Sequence, residues 1–304
     1  MMRPMPFLTD LLAQRGPLTG AELLAATGET DALALWRTCH REGLCCRRTG
    51  HRYMRLDRDI DGYARLSPSI RREFLTYTLI GLDTQRPLIE ARAARLEQQA
   101  AEISEAKLNL ARESLCFAMA SLPDESHLLR HVTFLIAGDI TYHMAHRVPR
   151  PEHSSGQLVR GSDLDIIAVT TDDLPEPVFR ALDDAIYRQK HYLLVNPEIN
   201  EEIDYILKPM ARVREQLTFS TFEHMVACKI LCEAQPLYGS PFLFQELMQH
   251  VEASGVRHRL QALHQQAENQ RNLSEQILLD LADGADAAPF LPLFHTREEN
   301  DEIY

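Results

Sequence analysis

Two aspartates placed one residue apart, Asp163 and Asp165, are the residues of this sequence best suited to chemistry. They lie in "GQLVRGSDLDIIAVTTDD", residues 156–173, after a Gly-Ser turn and before an apolar run. Because strand side chains alternate between faces, both carboxylates project to one side, with Cα atoms roughly 7 Å apart. Such carboxylates repel each other unless a cation bridges them. Mg²⁺ is a cation that combines carboxylates with substrate phosphates, so the pair predicts a metal-bound phosphate.

A third carboxylate, Asp204, lies in the strand-like segment "EEIDYILKP", residues 201–209. If the two strands are neighbours, Asp204 joins the pair, and three carboxylates could hold two Mg²⁺ ions. One ion would activate an attacking hydroxyl and the other would hold a triphosphate and its leaving pyrophosphate. In that scheme Asp204 binds the metal on the nucleophile side and can serve as the base. Gly161 and Ser162 would let the backbone approach a ligand just before the pair.

These segments resemble the DNA polymerase β-type nucleotidyltransferase superfamily, in its minimal bacterial form. "FLIAGD" corresponds to the family's Gly-ended strand, "GSDLDIIAV" to its Asp-x-Asp strand and "EEIDYIL" to the strand with the third aspartate. The resemblance covers roughly residues 124–250. It implies Mg²⁺ as cofactor and an NTP such as ATP as substrate. It also implies two groups of site residues: the catalytic and metal-binding Asp163, Asp165 and Asp204, and the nucleotide-binding Gly138, Asp139, Gly161, Ser162 and Lys229.

The sequence departs from the family pattern at two places. Asp139 follows Gly138, where the family has Gly or Ser to offer a backbone and a hydroxyl to phosphate. The segment from Gly138 to Asp163 is also longer than usual and contains "HRVPRPEHSSG", residues 146–156. Either "HSSG" is the phosphate loop, or three arginines of this region compensate by binding phosphates: Arg147, Arg150 and Arg160.

Residues 5–57, approximately, resemble a winged helix-turn-helix. A helix is predicted at residues 5–15, and Thr19 with Glu22 forms a capping-box signature for a second helix that Gly28 ends. A third helix follows within residues 30–44, and "CCRRTGHRYMRL", residues 45–56, alternates around a Thr-Gly turn like a β-hairpin. The resemblance implies nucleic-acid contact by a recognition helix and a wing, through Arg37, Arg41, Arg47, Arg48 and Arg52. The alternative is a winged helix that contacts only protein.

The predicted fold class is α+β, with helices around a short mixed sheet. A helix is expected at residues 68–82, and residues 86–121 carry the longest helical signal, which indicates a connecting or oligomerising helix. Five regions are predicted: 1–66, winged helix-turn-helix; 67–123, helical connector; 124–220, nucleotidyltransferase core; 221–284, C-terminal helices; 285–304, acidic tail.

Composition limits the classes of protein to consider. The 304 residues carry a net charge of −12, which argues against a surface that is basic throughout. No apolar run approaches the roughly 20 residues of a membrane span, and no secretory signal is evident, so a cytoplasmic protein without membrane contact is expected. The cysteines and histidines of residues 39–51 match no common zinc module, and buried cysteines are favoured over a zinc site.

The leading functional hypothesis is a nucleotidyltransferase that moves an NMP to a hydroxyl of a nucleic-acid end, a nucleotide, a protein or a small molecule. By resemblance to small bacterial members, a toxin or phage-defence role follows. The second hypothesis is a DNA-binding regulator whose nucleotidyltransferase-like domain senses a nucleotide without catalysis. A third is an interaction protein that forms homo-oligomers through the helix at 86–121.

Overall fold

The computed structural model describes residues 5–40, 43–152, 156–282 and 284–296. Its helices and small sheets are intermixed, so the α+β class predicted from the sequence is confirmed. The chain divides into two compact units. The first comprises residues up to 99 together with those from 262 onwards, and the second comprises residues 100–261. The first unit thus contains both ends of the chain, and the five regions predicted from the sequence stay predictions.

The first unit combines helices with two small antiparallel sheets. Its elements in the described residues are α1 (Met5–Arg15), β1 (Leu18–Thr19), α2 (Gly20–Thr27), α3 (Ala32–Cys39), β2 (Leu44–Arg48), β3 (Tyr53–Leu56), β4 (Ala64–Ser67), α4 (Ile70–Tyr77), β5 (Thr78–Leu82), the first part of α5 (Arg86–Ala120), most of α11 (Val256–Asp280) and α12 (Leu291–Phe294).

A sheet of strand order β1-β5-β2 packs with the N-terminal helices to form a core. Strands β2 and β5 follow α1 to α3 in the chain, and β3, β4 and α4 lie between these two strands. The resemblance to a winged helix stays a prediction. The predicted capping box is present: Glu22 N donates to Thr19 Oγ1, and Thr19 N donates to the Glu22 carboxylate. Gly28 ends α2 in the left-handed region, as predicted.

The hairpin predicted at residues 45–56 is wrong. Strand β2 pairs with β5, and β3 pairs instead with β4. The Thr-Gly pair does not close a turn because Thr49 N donates to Tyr77 O and extends the β2–β5 pairing. The helix predicted at 68–82 is correspondingly too long, since α4 ends at Tyr77 and β5 begins at Thr78. Distant pairing with the buried Leu79 and Ile80 outweighs the local turn signal.

The predicted acidic tail at 285–304 begins later than expected. Residues 288–294 form a short 3₁₀ helix and α12, and the Phe294 ring is 1% exposed. Its ring centroid lies 5.9 Å from that of Trp36 in α3. Burial of this phenyl group holds the segment in the first unit. The remaining tail, residues 297–304, lies outside the described residues.

The second unit is built on a four-stranded sheet covered by helices. Its described elements are the second part of α5, α6 (Glu125–Leu128), β6 (Val132–Ile136), β7 (Arg150–Pro151), β8 (Leu158–Val159), β9 (Leu164–Thr170), α7 (Glu176–Val195), β10 (Ile203–Pro209), α8 (Met210–Gln216), α9 (Phe222–Glu233), β11 (Gln235–Gly239), α10 (Pro241–Ser254) and the start of α11. A 3₁₀ helix, Gly138–Ile140, follows β6.

The four strands are arranged in the order β10-β9-β6-β11. Strand β10 runs parallel to β9, whereas β6 and β11 are each antiparallel to their neighbours. One face of β9 carries Leu164, Ile166 and Ala168, which belong to the main core of the unit. The opposite face carries Asp165, because side chains alternate along the strand. The sheet therefore separates the core from the carboxylates.

The long helix predicted at 86–121 is present as α5, and much of its apolar surface is used inside the protein. Ile89 packs with Leu79 in the first unit, and Leu115 and Met119 lie in the core of the second. Leu88 is exposed. Association through α5 stays a prediction. None of the described helices, α5 included, is both long and apolar enough to cross a membrane.

Candidate active site

Asp165 and Asp204 lie side by side on neighbouring parallel strands. The register pairs Asp204 of β10 with Asp165 of β9. Asp163 precedes β9 by one residue and projects to the same side as Asp165. Asp165 is half-buried, Asp163 is partly exposed and Asp204 is exposed. The third carboxylate of the predicted site thus stands directly beside the second.

The Asp165 carboxyl lies in an environment that disfavours its charge. Burial raises the pKa of Asp165 well above its usual range, and the nearby carboxylates of Asp163, Asp139, Asp204 and Glu233 raise it further. Like charges around a buried carboxylate cost free energy unless a cation or a proton offsets them. The cluster therefore favours a cation more than an isolated pair of aspartates would.

Gly138 brings the backbone of the 3₁₀ helix against this carboxylate. A Cβ at residue 138 would lie 2.0 Å from Asp165 Oδ2, and its φ of 71° lies in the left-handed region. Both facts require glycine here. The turn after β6 and the start of β9 consequently meet, although Gly138 and Asp163 are 25 positions apart in the sequence.

Asp139 and Ser162, which were both predicted to bind the nucleotide, form a hydrogen bond with each other. Ser162 Oγ donates to Asp139 Oδ2 at 3.2 Å and accepts from His146 N at 3.2 Å. Ser162 is also buried. Because the Ser162 hydroxyl makes both of these hydrogen bonds, it connects Asp139 to the turn before Asp163.

Gly161 permits a close crossing of two chain segments. A Cβ at residue 161 would lie 1.9 Å from His146 O, and Ser162 N donates to the same carbonyl at 3.1 Å. The close backbone approach predicted at Gly161 is therefore made to residues 146–147 of the protein itself. This crossing fixes the turn that leads into Asp163.

Lys107 of α5 holds the same turn from the other side. Its ammonium donates to Arg160 O at 2.8 Å and to Ser162 O at 2.7 Å, and it forms an ion pair with Glu201. The side chain is 3% exposed. Burial lowers the pKa of Lys107 and raises that of Glu201, although each charge opposes the shift of the other. The ammonium satisfies three acceptors beside the carboxylate cluster.

Arg150 supplies a second cation to this turn. Its Nε donates to Gly161 O at 2.8 Å, and Nη2 lies 2.8 Å from Glu202 Oε2 and 3.4 Å from Asp163 Oδ2. The guanidinium thus partly neutralises Asp163. The "HSSG" loop proposed as an alternative phosphate site falls mostly on residues 153–155, outside the described residues.

Lys229 reaches the cluster through Glu233. Both lie on α9, and Lys229 Nζ donates to Glu233 Oε1 at 2.7 Å. Tyr142 donates to the other oxygen of Glu233. Because the Glu233 charge helps to raise the pKa of Asp165, the end of α9 lies close enough to act on the site. Lys229 is thus bound to Glu233, one of the carboxylates that act on Asp165.

The arginines predicted to bind nucleic acid in the winged helix have partners inside the first unit. Arg47 lies 3.2 Å from Glu90 and 3.4 Å from Glu97, and Arg48 lies 3.7 Å from Glu73. Arg52 lies 2.6 Å from both Glu73 and Glu275. Arg37 donates to the carbonyl of Leu281. Arg41 lies outside the described residues. Nucleic acid would have to compete with these contacts.

The cysteine and histidine segment has the chemistry of a packed core. Cys39 is buried, and burial raises the pKa of its thiol far above the usual range. Burial also raises the pKa of Cys46 to about 12, and its Sγ donates to Cys39 O at 3.4 Å. Cys39 is thus a buried cysteine, as favoured from the sequence, whereas Cys45 and Cys46 are partly buried. The absence of a zinc site stays a prediction.

Sequence reasoning missed three of the residues that shape the site. Lys107 stands in an Ala- and Glu-rich helix whose pattern indicates only length, although it is the single lysine of residues 86–121. Glu201 and Glu233 look like ordinary surface glutamates. Their roles depend on contacts across the fold.

The donor chemistry of the site fits Mg²⁺, because its carboxylates offer the hard oxygen ligands this ion prefers. Within the described residues, however, no three acidic, histidine or cysteine side chains are already grouped as metal ligands. The aspartates would have to turn towards a common point. Comparison with protein-family models, with curated proteins and with solved structures gave no significant match to this chain. Function is therefore inferred from the residues themselves.

Proposed function

We propose that this protein is a metal-dependent nucleotidyltransferase that moves an NMP from an NTP to a hydroxyl acceptor. The observation that carries the proposal is the pairing of Asp165 with Asp204 on parallel strands, with Asp163 one step before Asp165. Like charges held together in this way suit a site that gains a cation with its substrate. A nucleoside triphosphate with Mg²⁺ is such a substrate.

Each aspartate has a distinct task in this proposal. Asp163 and Asp165 hold the metal-bound triphosphate, and Asp204, the most exposed of the three, faces the incoming acceptor and takes its hydroxyl proton. Mg²⁺, when bound, supplies charge neutralisation and Lewis acidity at the reacting phosphate. Lys107 and Arg150 fix the turn before Asp163, so that the first two carboxylates keep their spacing.

A label-transfer assay tests this function. Purified protein would be incubated with each α-³²P NTP and Mg²⁺, with and without DNA or RNA oligonucleotides. We expect the label in an oligonucleotide, in the protein or in a new small product, and we expect Asp163→Ala and Asp165→Ala to abolish it. Asp184→Asn, which changes an exposed aspartate of α7, serves as the control and should retain transfer. Transfer that survives in both site variants would overturn the proposal.

Asp139 favours a second candidate function, a nucleotide sensor without turnover. The carboxylate stands where a phosphate-binding serine is expected and adds negative charge near Asp165. In this case Mg²⁺-dependent NTP binding should be measurable by calorimetry while no pyrophosphate is released. Asp139→Ser distinguishes the two functions. It should raise the rate of transfer if the protein is an enzyme, and it should produce no transfer if the protein is only a sensor.

The biological role implied by the resemblance, a toxin or a phage-defence enzyme, is testable in cells. If the transferase acts on an essential acceptor, induced expression should slow growth. Asp165→Ala should relieve the effect at equal protein level. Equal growth inhibition by both proteins would remove the link between the carboxylates and toxicity.

A further inference from the structure

The side chains of two arginines near the carboxylate cluster form no hydrogen bond or ion pair with a described residue. They are the exposed Arg147 and Arg160, of which Arg160 is held only through its main chain, by Lys107 and Asn200. Their neighbours Lys107 and Arg150 are instead fully engaged with the turn and its carboxylates. Lys107 and Arg150 therefore stabilise the turn before Asp163, whereas the guanidiniums of Arg147 and Arg160 are available to bind a further anion.

Arg147 and Arg160 belong to one small surface. A Cβ at Gly161 would lie 2.9 Å from Arg147 Cα, and Arg160 immediately precedes Gly161. Both guanidiniums also act electrostatically on Glu201, the partner of Lys107. Both side chains are therefore attached where residues 146–147 cross Gly161, two residues before Asp163. We call Arg147 and Arg160 the crossing arginines.

The crossing arginines place two positive charges beside acidic residues in a protein with a net charge of −12. Of the five arginines predicted to bind nucleic acid in the winged helix, the four within the described residues, Arg37, Arg47, Arg48 and Arg52, have hydrogen-bond or ion-pair partners. A guanidinium presents a planar set of donors that matches a phosphate group. Two such groups from adjacent segments suit consecutive phosphates of a nucleic-acid backbone better than a single charge would.

We propose that the acceptor is a nucleic-acid strand, and that Arg147 and Arg160 bind its backbone phosphates so that its terminal hydroxyl enters the carboxylate cluster. This inference rests on the nucleotidyltransferase function proposed above. The crossing arginines offset the repulsion that the carboxylates exert on a polyanion.

The transfer step is balanced without a further reactant. The terminal hydroxyl oxygen forms a bond to the α-phosphorus of the NTP, and the bond from that phosphorus to the bridging oxygen breaks. Pyrophosphate leaves with the electron pair, and the hydroxyl proton passes to Asp204 and then to solvent.

The test compares two double variants of the full chain. Arg147→Ala/Arg160→Ala removes the crossing arginines, and Arg188→Ala/Lys190→Ala removes two cations of α7 that likewise have no partner among the described residues. Fluorescence anisotropy with labelled single-stranded DNA and RNA, at several salt concentrations, measures binding without catalysis. The transfer assay then gives KM for the oligonucleotide and for the NTP separately.

We expect the crossing variant to bind the oligonucleotide roughly tenfold or more weakly, with a salt slope smaller by about 1.4 for two lost phosphate contacts. Its KM for the oligonucleotide should rise while its KM for the NTP stays unchanged, and the α7 variant should behave like the wild type. The DNA and RNA arms show which strand is preferred.

The inference would be overturned by any of these results: no oligonucleotide binding by the wild type, equal binding by both variants, or a loss confined to NTP affinity. The last result would make the arginines triphosphate ligands. If label is transferred to a mononucleotide or a protein, and the crossing variant transfers it as well as the wild type does, a nucleic-acid strand is also excluded as the acceptor. If the wild type binds oligonucleotide through these arginines but transfers no label, the binding surface stands and the transferase proposal fails.

Discussion

Lys107 donates a 2.7 Å hydrogen bond to the main-chain carbonyl of Ser162, the residue that immediately precedes Asp163. A buried ammonium thus links the long helix α5 to the candidate catalytic turn. The same ammonium also neutralises Glu201. Its ion pair with Glu201 is an electrostatic contribution, and its hydrogen bond to Ser162 O positions the turn before Asp163. The two tasks can be separated by mutation.

Lys107→Met should destabilise the protein by about 3 to 5 kcal/mol, because it leaves the Glu201 charge buried without a partner. Lys107→Met/Glu201→Leu should recover much of this loss, since an apolar pair can replace a buried ion pair. Transfer should stay impaired in the double variant, because the tether to the Ser162 carbonyl is still missing. Urea unfolding and the label assay measure the two effects. Recovery of both stability and transfer would reduce Lys107 to a structural role.

Asp165→Asn should stabilise the metal-free protein while it abolishes transfer. Burial and four neighbouring carboxylates disfavour the charged form of Asp165, so its pKa is raised and its ionisation at neutral pH costs free energy. The neutral amide removes that cost. Thermal unfolding in EDTA should show a higher Tm, and transfer should fall by about 100-fold or more. A lower Tm would mean that the carboxylate is favourably paired and the cluster is not strained.

Lys208 tests the effect of a buried cation away from the candidate catalytic residues. It is 5% exposed and donates one hydrogen bond, to Gln216 Oε1 at 2.7 Å. Burial lowers its pKa to about 8. Between that value and the ordinary pKa of about 10.4 the unfolded chain binds more protons, so stability rises with pH.

Lys208→Met should therefore increase the free energy of unfolding by about 1 to 3 kcal/mol at pH 7. The advantage should shrink as the pH rises from 8 towards 10, because the wild-type lysine then loses its charge. Lys190→Met on α7 provides a control without a buried ammonium. A stability difference that stays constant over this pH range would contradict the expectation.

Glu73 connects two arginines in the first unit. It accepts from Arg52 Nη2 at 2.6 Å and from Arg271 Nη2 at 3.1 Å, and Arg271 is nearly buried. Burial alone would raise the pKa of Glu73, but its hydrogen bond with Arg52 and the charge of Arg271 outweigh burial and lower it. The stabilisation is present above the ordinary pKa of the carboxyl and is lost as the pH falls through the lowered value.

Glu73→Gln should destabilise the first unit by about 2 to 4 kcal/mol at pH 7, because it leaves Arg271 without this charge. Glu90→Gln, which removes an exposed partner of Arg47, should cost less than about 1 kcal/mol. Urea denaturation at pH 7 and pH 4 measures both. The Glu73 effect should diminish at the lower pH, and an equal cost for the two variants would show that burial does not matter here.

The aspartate strands and the capped helix α2 were predictable because their signals are local. Alternation around Asp165 and the spacing of Thr19 and Glu22 both operate within a few residues. The pairing of β2 with β5 was not predictable in this way, since it joins segments about 30 residues apart and overrides a plausible local turn. Lys107 was missed for the same reason, because its partners Arg160 and Glu201 are distant in sequence.

The most direct measurement is pyrophosphate release by wild type, Asp204→Asn and Asp184→Asn, with Mg²⁺, an NTP and a single-stranded oligonucleotide. If Asp204 completes the carboxylate site from the neighbouring strand, wild type and Asp184→Asn release pyrophosphate in step with label transfer. Asp204→Asn should then lose about 100-fold or more of the rate. Equal rates for wild type and Asp204→Asn, or no release by the wild type with any NTP and either DNA or RNA, would contradict a transferase built on Asp163, Asp165 and Asp204.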